Sequence, residues 1–177
     1  MKPRGPLMIE HRRIEKMIDI ITQKISEIEA TNKVDPGFID TAVDFIKIYA
    51  DKTHHGKEED ILFRDCLKKN MSEEDIKIMN DLIDEHKYGR RIVAELTEAK
   101  EKYTESKDTL DLILEKLNAL VEFYPNHIEK EDDIFFPHSE NYFTEEEQEK
   151  MLAEFWEFDK TMIHKKYDSV IENIKKD

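Results

Sequence analysis

Apolar residues return along this chain at helical spacing. Between Leu7 and about Ala30 the positions His11, Ile14, Ile18, Ile21, Ile25 and Ile28 step by 3, 4, 3, 4 and 3. That is the one-sided stripe of a helix packed in a bundle, with a histidine in a place an apolar residue would otherwise hold. Thr31 to Gly37 then breaks the helix, and Met1 to Pro6 ahead of it reads as a short loose tail. A second helix is predicted from about Phe38 to Lys69, its inward stripe being Ile39, Val43, Ile46, Ala50, His54, Glu58 and Ile61. Gly56 interrupts it at a cost of about 1 kcal/mol relative to Ala, and marks close packing or a local distortion. Ser72 and the acids after it start a third helix, about 73–104, with Ile76, Met79, Ile83, His86, Val93 and Leu96 inward. The fourth, about 108–136, carries Leu110, Ile113, Leu117, Leu120, Tyr124, His127, Glu131 and Ile134, and Pro125 is expected to kink it just before His127. After a break at 136–141, Thr144 caps a fifth helix running to about Lys175, with Met151, Phe155, Phe158, Met162, Val170 and Ile174 on its stripe.

The stripes repeat. His54 matches His127 and Glu58 matches Glu131 at one offset of 73 residues, and His11 matches His86 at 75. Two copies are too few for a solenoid. The expected fold is all-α: an up-and-down four-helix bundle with a pseudo-twofold internal repeat plus a fifth C-terminal helix. Residues 1–177 are read as a single domain, with 7–140 as the bundle and 141–177 as the additional helix.

Composition narrows the function. Charged residues make up 40% and apolar residues 38% of 177, with four Gly and five Pro, the profile of long amphipathic helices. A net charge of −14 disfavours nucleic acid and anionic membrane as partners. One cysteine, Cys66, allows no intrachain disulfide and fits a reducing cytoplasm. No apolar run reaches the ~18 residues of a membrane span, and no signal-peptide pattern is present.

The candidate chemistry lies in His11, His54, Glu58, His86, His127 and Glu131. Residues at i and i+4 share a helix face about one turn, ~5.4 Å, apart. Each His-Glu pair can therefore aim an imidazole and a carboxylate at one spot. One such pair alone is more often a surface pair, but two aligned copies with two further core histidines change that balance. Burying four imidazoles and two carboxylates without a cation would cost several kcal/mol. Two carboxylates can bridge two metals while imidazoles cap each, a donor set suited to iron, manganese or zinc. His55 points ~100° round the helix from His54. It is read first as a neighbouring or surface histidine, with a fifth imidazole ligand as the alternative. His138 and His164 lack repeat partners and read as surface residues.

These motifs resemble the hemerythrin-like, or HHE cation-binding, family: His11 in Ile9-Glu10-His11, His54-His55-Gly56-Lys57-Glu58-Glu59, His86 in Asp84-Glu85-His86, and His127-Ile128-Glu129-Lys130-Glu131 leading to Phe135-Phe136-Pro137. The resemblance covers about residues 7–140. It implies a non-haem di-iron centre, two iron ions bridged by Glu58, Glu131 and an oxo or hydroxo group. The oxygen carriers of that family have five histidines, two of them four apart on the third helix. Here the position four after His86 is Arg90. The four-histidine, two-glutamate set is similar instead to di-iron proteins linked to repair of iron centres under nitrosative stress. The expected ligand is dioxygen, peroxide or nitric oxide, with a redox partner that the sequence does not identify. The alternative is an iron- or oxygen-responsive module acting on a partner through the fifth helix and its Phe155, Trp156 and Phe158.

Overall fold

A computed structural model describes the backbone of residues 2–106 and 109–174 and the side chains of 2–103 and 109–168. Every described element is helical. The first helix, α1, is Arg4–Thr31. The second, α2, runs without a break through Pro36–Phe45, Ile46–His55, Glu58–Phe63 and Arg64–Cys66. Helix α3 is Glu73–Ser106. Helix α4 joins Leu110–Lys130, Glu131–Phe135 and Phe136–Glu140, and α5 is Glu145–Ile174.

Local chemistry sets the boundaries. Asn32 takes the left-handed conformation (φ 50°) that ends α1, and its N–H returns to the Ile28 carbonyl. Asp35 opens α2 by accepting from the Gly37 N–H at 2.9 Å. Ser72 does the same for α3 at the Asp75 N–H. Thr144 and Glu147 form a reciprocal capping box at the start of α5. The expected loose N-terminal tail is corrected. The helix begins at Arg4, Pro3 is buried, and Lys2 and Arg4 pair with Glu140 at 2.8 and 3.2 Å. Proline is compatible with a first helical turn, so two prolines there do not prevent it.

Helices α1 to α4 close a ring, each packing on its neighbours, and α5 lies along the middle of α2. The interior is layered. One apolar cluster, built on Ile14, Ile18, Ile21, Ile39, Ala50, Val93, Leu96, Leu117 and Leu120, fills one end. A second, built on Leu7, Ile61, Phe63, Met79, Leu82, Phe135 and Phe136, fills the other, and α5 adds Met151 and Phe155 to it. Cys66 is a buried free thiol in this second cluster. The histidines and glutamates of the repeat lie on each helix between residues of these two clusters.

Three stretches are wound more widely than an α-helix: Ile46–His55, Glu58–Phe63 and Glu131–Phe135. Backbone bonds there run from i to i+5, a winding found mostly at functional sites. It corrects the stripe of α4. Ile134 is 41% exposed and Phe135 takes the inward place, because the wide turn delays the return to the core by one residue. Pro125 lies inside Leu110–Lys130, which is α-helical on both sides of it, and the winding widens at Glu131. On α3, Ile76 is exposed and Leu82 buried, so the inward stripe reads Asp75, Met79, Leu82, His86, Val93 and Leu96. Val170 and Ile174 of the fifth stripe lie outside the described side chains, as do residues 108 and 175, where two helices were expected to begin and end.

Gly56 sits where α5 touches α2. A Cβ built there would lie 2.8 Å from Cζ of Phe158, so the ring occupies the space a side chain would need. Gly56→Ala gains about 1 kcal/mol of helix propensity and loses on the order of 1–3 kcal/mol to overpacking. The expected outcome by urea unfolding is no net stabilisation in the parent chain, but a gain of about 1 kcal/mol in a Phe158→Ala background. Equal effects in the two backgrounds would show that the ring does not set the requirement.

Candidate metal centre

The layer between the two apolar clusters holds seven buried donor residues. His11, His86, Glu58 and Glu131 have no exposed surface, and His54, His55 and His127 have almost none. Their donor atoms form two groups, His11, His54, Glu58 and Glu131 in one and His55, His86 and His127 in the other, each within 4.8 Å. The Nε2 atoms of His11 and His54 are 2.8 Å apart. His11 Nε2 lies 3.2 Å from Glu131, His54 Nε2 3.3 Å from Glu58, and His127 Nε2 3.4 Å from Glu131. His86 Nε2 faces both carboxylates, at 3.5 Å to Glu58 and 3.6 Å to Glu131. All six residues singled out by the repeat thus converge.

His55 is the correction. It is not on the surface but stacked on His86, with ring centroids 3.9 Å apart and planes 12° from parallel. Adjacent residues of an α-helix point ~100° apart. The wide winding of Ile46–His55 brings His54 and His55 to the same interior. No sequence pattern marks such a turn. The only hint was Gly56 beside the histidine pair.

The Nδ1 atoms of the four repeat histidines are tied down, and the ties follow the repeat. Asp132 meets His11 Nδ1 at 2.7 Å, and Glu59 meets His86 Nδ1 at 2.7 Å. Glu10 meets His54 Nδ1 at 2.9 Å, and Glu85 meets His127 Nδ1 at 2.9 Å. Lys57 donates to Glu10, and Lys130 to Glu85. Such carboxylates orient an imidazole and raise its basicity toward a metal. The motif is therefore longer than His-Glu. It includes the acid before each first-pair histidine, the lysine three after each second-pair histidine, and the acid after each glutamate. This signal was readable from the same offsets, and Glu10, Glu85, Lys57 and Lys130 were missed. Arg90 touches neither Glu58 nor Glu131 but joins Asp51 (2.7 Å) to Glu59 (2.6 Å). His138 pairs with Asp75 on the surface, and His164 is exposed.

Electrostatics show what the layer needs. Burial, reinforced by the charge of Glu131, pushes the Glu58 carboxyl well above the usual range. Burial acts the same way on Glu131, yet His127, His11 and His86 hold it well below. Burial and the neighbouring His86 push His55 down to about 3. Burial opposes charge on His11 too, but Asp132 and Glu131 outweigh it and raise it to about 9. Both oxygens of Glu58 and of Glu131, and Nε2 of His86 and His127, are buried without a hydrogen-bond partner. Unsatisfied buried polar atoms are rare and costly. Here they face one another, and cations among them would satisfy them together. The donor set of imidazole and carboxylate fits iron.

The comparisons agree. The profile of the hemerythrin HHE cation-binding domain matches residues 6–139 and, in a second placement, 78–165. The chain belongs to that family. The second placement begins near the start of the second helix pair, as an internal repeat would produce. No curated protein and no solved structure gives a significant match. No helix of the described residues is long and apolar enough to cross a membrane.

Glu58→Gln separates the two demands on the layer. In metal-free protein it removes one of two facing buried carboxylates, and stability at pH 7 is expected to rise by on the order of 1–3 kcal/mol. In metal-loaded protein the same change is expected to lower the melting temperature. Thermal unfolding with and without chelator measures both signs, and destabilisation in both states would mean that the pair is satisfied without a cation.

Proposed function

We propose that the chain is a non-haem di-iron protein that binds or reduces a small oxidant: dioxygen, peroxide or nitric oxide. The observation that carries this reading is the convergence of unpartnered buried imidazole and carboxylate atoms in two groups. In it His11 and His54 would hold one iron, His86 and His127 would hold the other with His55 as a fifth imidazole, and Glu58 and Glu131 would be available to both. Iron bound there would supply the electrons and the Lewis acidity for the small molecule. The chain supplies the rest. Asp132, Glu10, Glu59 and Glu85 fix the imidazole tautomers through Nδ1. Phe136 stacked on His11, Phe63 on His86 and Phe123 on His127 exclude water from the ring faces. Oxidative or nitrosative stress in the cytoplasm is the setting this chemistry fits.

One observation favours a second reading, an iron- or oxygen-responsive module acting through a partner. Lys57 is fully buried between Glu10 and Asp159, the latter at 2.7 Å, so a chain of ionic contacts joins α5 to His54. Phe155 is buried and Phe158 half-buried against Gly56, which leaves Trp156, Ile163 and Tyr167 as the exposed apolar face of α5. Ligand-dependent change in the protease sensitivity of α5 would favour this reading.

The direct test is metal content with a visible spectrum on aerobically purified protein, before and after dithionite. About two irons per chain and a near-ultraviolet absorption that bleaches on reduction are expected. Dioxygen, peroxide and nitric oxide added to the reduced protein then choose among ligands. His55→Ala is expected to lower the iron content toward one per chain, whereas Lys16→Ala, on the exposed face of α1, leaves it at two. Less than one metal per chain after anaerobic reconstitution with iron would overturn the reading.

A further inference from the structure

A cavity of about 240 Å³ opens between α2 and α3 and ends on the metal layer. Ile46, Val93, Gly89 and Tyr124 give it an apolar interior, and His55 is part of its wall. His55 is 97% buried, and its Nδ1 has no hydrogen-bond partner. The nearest acceptor, Asp51, stands off at 3.5 Å. Gly89 adds no side chain to the lining, and a Cβ there would press to 3.0 Å of Phe123 on α4. A water occupies about 30 Å³ of liquid, so the space holds several waters or a small ligand with its hydration.

The mouth is net cationic. Lys47, Lys52 and Arg90 line it with one carboxylate, Asp51, and Arg90 is paired with Asp51 and Glu59, which leaves Lys47 and Lys52 as the uncompensated charges of the lining. Lys47 and Lys52 are exposed. On a chain of net charge −14, a cationic mouth above an apolar shaft is a local reversal of the field. Charge of one sign around a low-dielectric cleft concentrates ions of the opposite sign and raises their association rate by 10–10³.

We propose that this cavity is the approach through which small inorganic anions, of the class of azide, nitrite and hydroperoxide, reach the centre, with Lys47 and Lys52 setting the preference for anions over neutral molecules. The assignment rests on the di-iron reading above. It adds the charge class of the ligand and the face of the bundle it crosses.

The test uses iron-loaded full-length protein whose iron content has been measured first. Azide binding to the oxidised protein is followed by stopped-flow absorbance in the parent, in Lys47→Glu/Lys52→Glu, and in Lys24→Glu/Lys33→Glu, which reverses two lysines at a separate surface pocket. Reversal at the mouth is expected to slow azide association about tenfold at low ionic strength, with the rates converging at about 0.5 M salt, where the Debye length falls to a few ångströms. The control pair is expected to match the parent, and nitric oxide, being neutral, is expected to bind the reduced forms of all three alike. Equal azide rates in parent and mouth variant, at two irons per chain, would overturn the approach and leave the di-iron reading standing. A slowing as large in the control pair would overturn it too, because net charge alone would explain it. Crystals of metal-free protein soaked in bromide give a readout independent of iron. Anomalous density among Lys47, Lys52 and Arg90 supports an anion-collecting mouth, and its absence there counts against one. Failure to take up iron would sink the di-iron reading separately, and bromide would still decide the cavity.

Discussion

Two glutamates, Glu58 and Glu131, face each other in the middle of this bundle with no exposed surface and no hydrogen-bond partner. A buried pair of carboxylates is among the most expensive arrangements a fold can hold without counter-charge. Most other polar features of the interior answer to it. The imidazoles of His11, His54, His86 and His127 surround the pair, and an outer set of acids turns those rings inward. Lys57, Lys130, Arg12 and Arg90 then neutralise the outer acids. Charge thus alternates in shells from the centre to the surface, and the apolar clusters above and below keep water from short-circuiting it.

Symmetry organises this arrangement, and α5 breaks it. Lys57 and Lys130 are repeat partners with matching glutamates, but Lys57 alone of the two has a second partner, Asp159, and alone is fully buried. The two donor groups differ as well: two imidazoles with the two carboxylates on one side, three imidazoles on the other. Near-equivalent halves have therefore become unequal at the level where ligand preference is decided. The added helix covers the half that holds His54.

The helices and the six donor positions were legible because burial is periodic: a histidine on an apolar stripe stands out against isoleucines. What was not legible came from departures from the α-helical period. The wide turns at Ile46–His55 and Glu131–Phe135 carried His55 inward and exchanged Ile134 for Phe135. A pattern read at 3.6 residues per turn cannot anticipate a change in the turn itself. The outer acids and lysines were a different kind of miss. Glu10, Glu85, Lys57 and Lys130 obey the same repeat as the six converging histidines and glutamates, but charged residues are common on helix surfaces, so their recurrence carried little weight until their burial was known.

The layering has a consequence for how the chain reaches its native state. The donors come from residues as far apart as His11 and Glu131, and no two neighbouring helices contain a complete group. The apolar clusters can collapse around local helix pairs, whose contacts close short loops at small entropic cost. The polar layer exists only once all four helices have docked. A cation captured by this set would therefore act late, stabilising the assembled ring instead of nucleating it, and its binding energy would add to folding energy only at that step. Synthesis ahead of metal supply would leave the buried carboxyl and imidazole atoms of this layer without partners until a cation arrived.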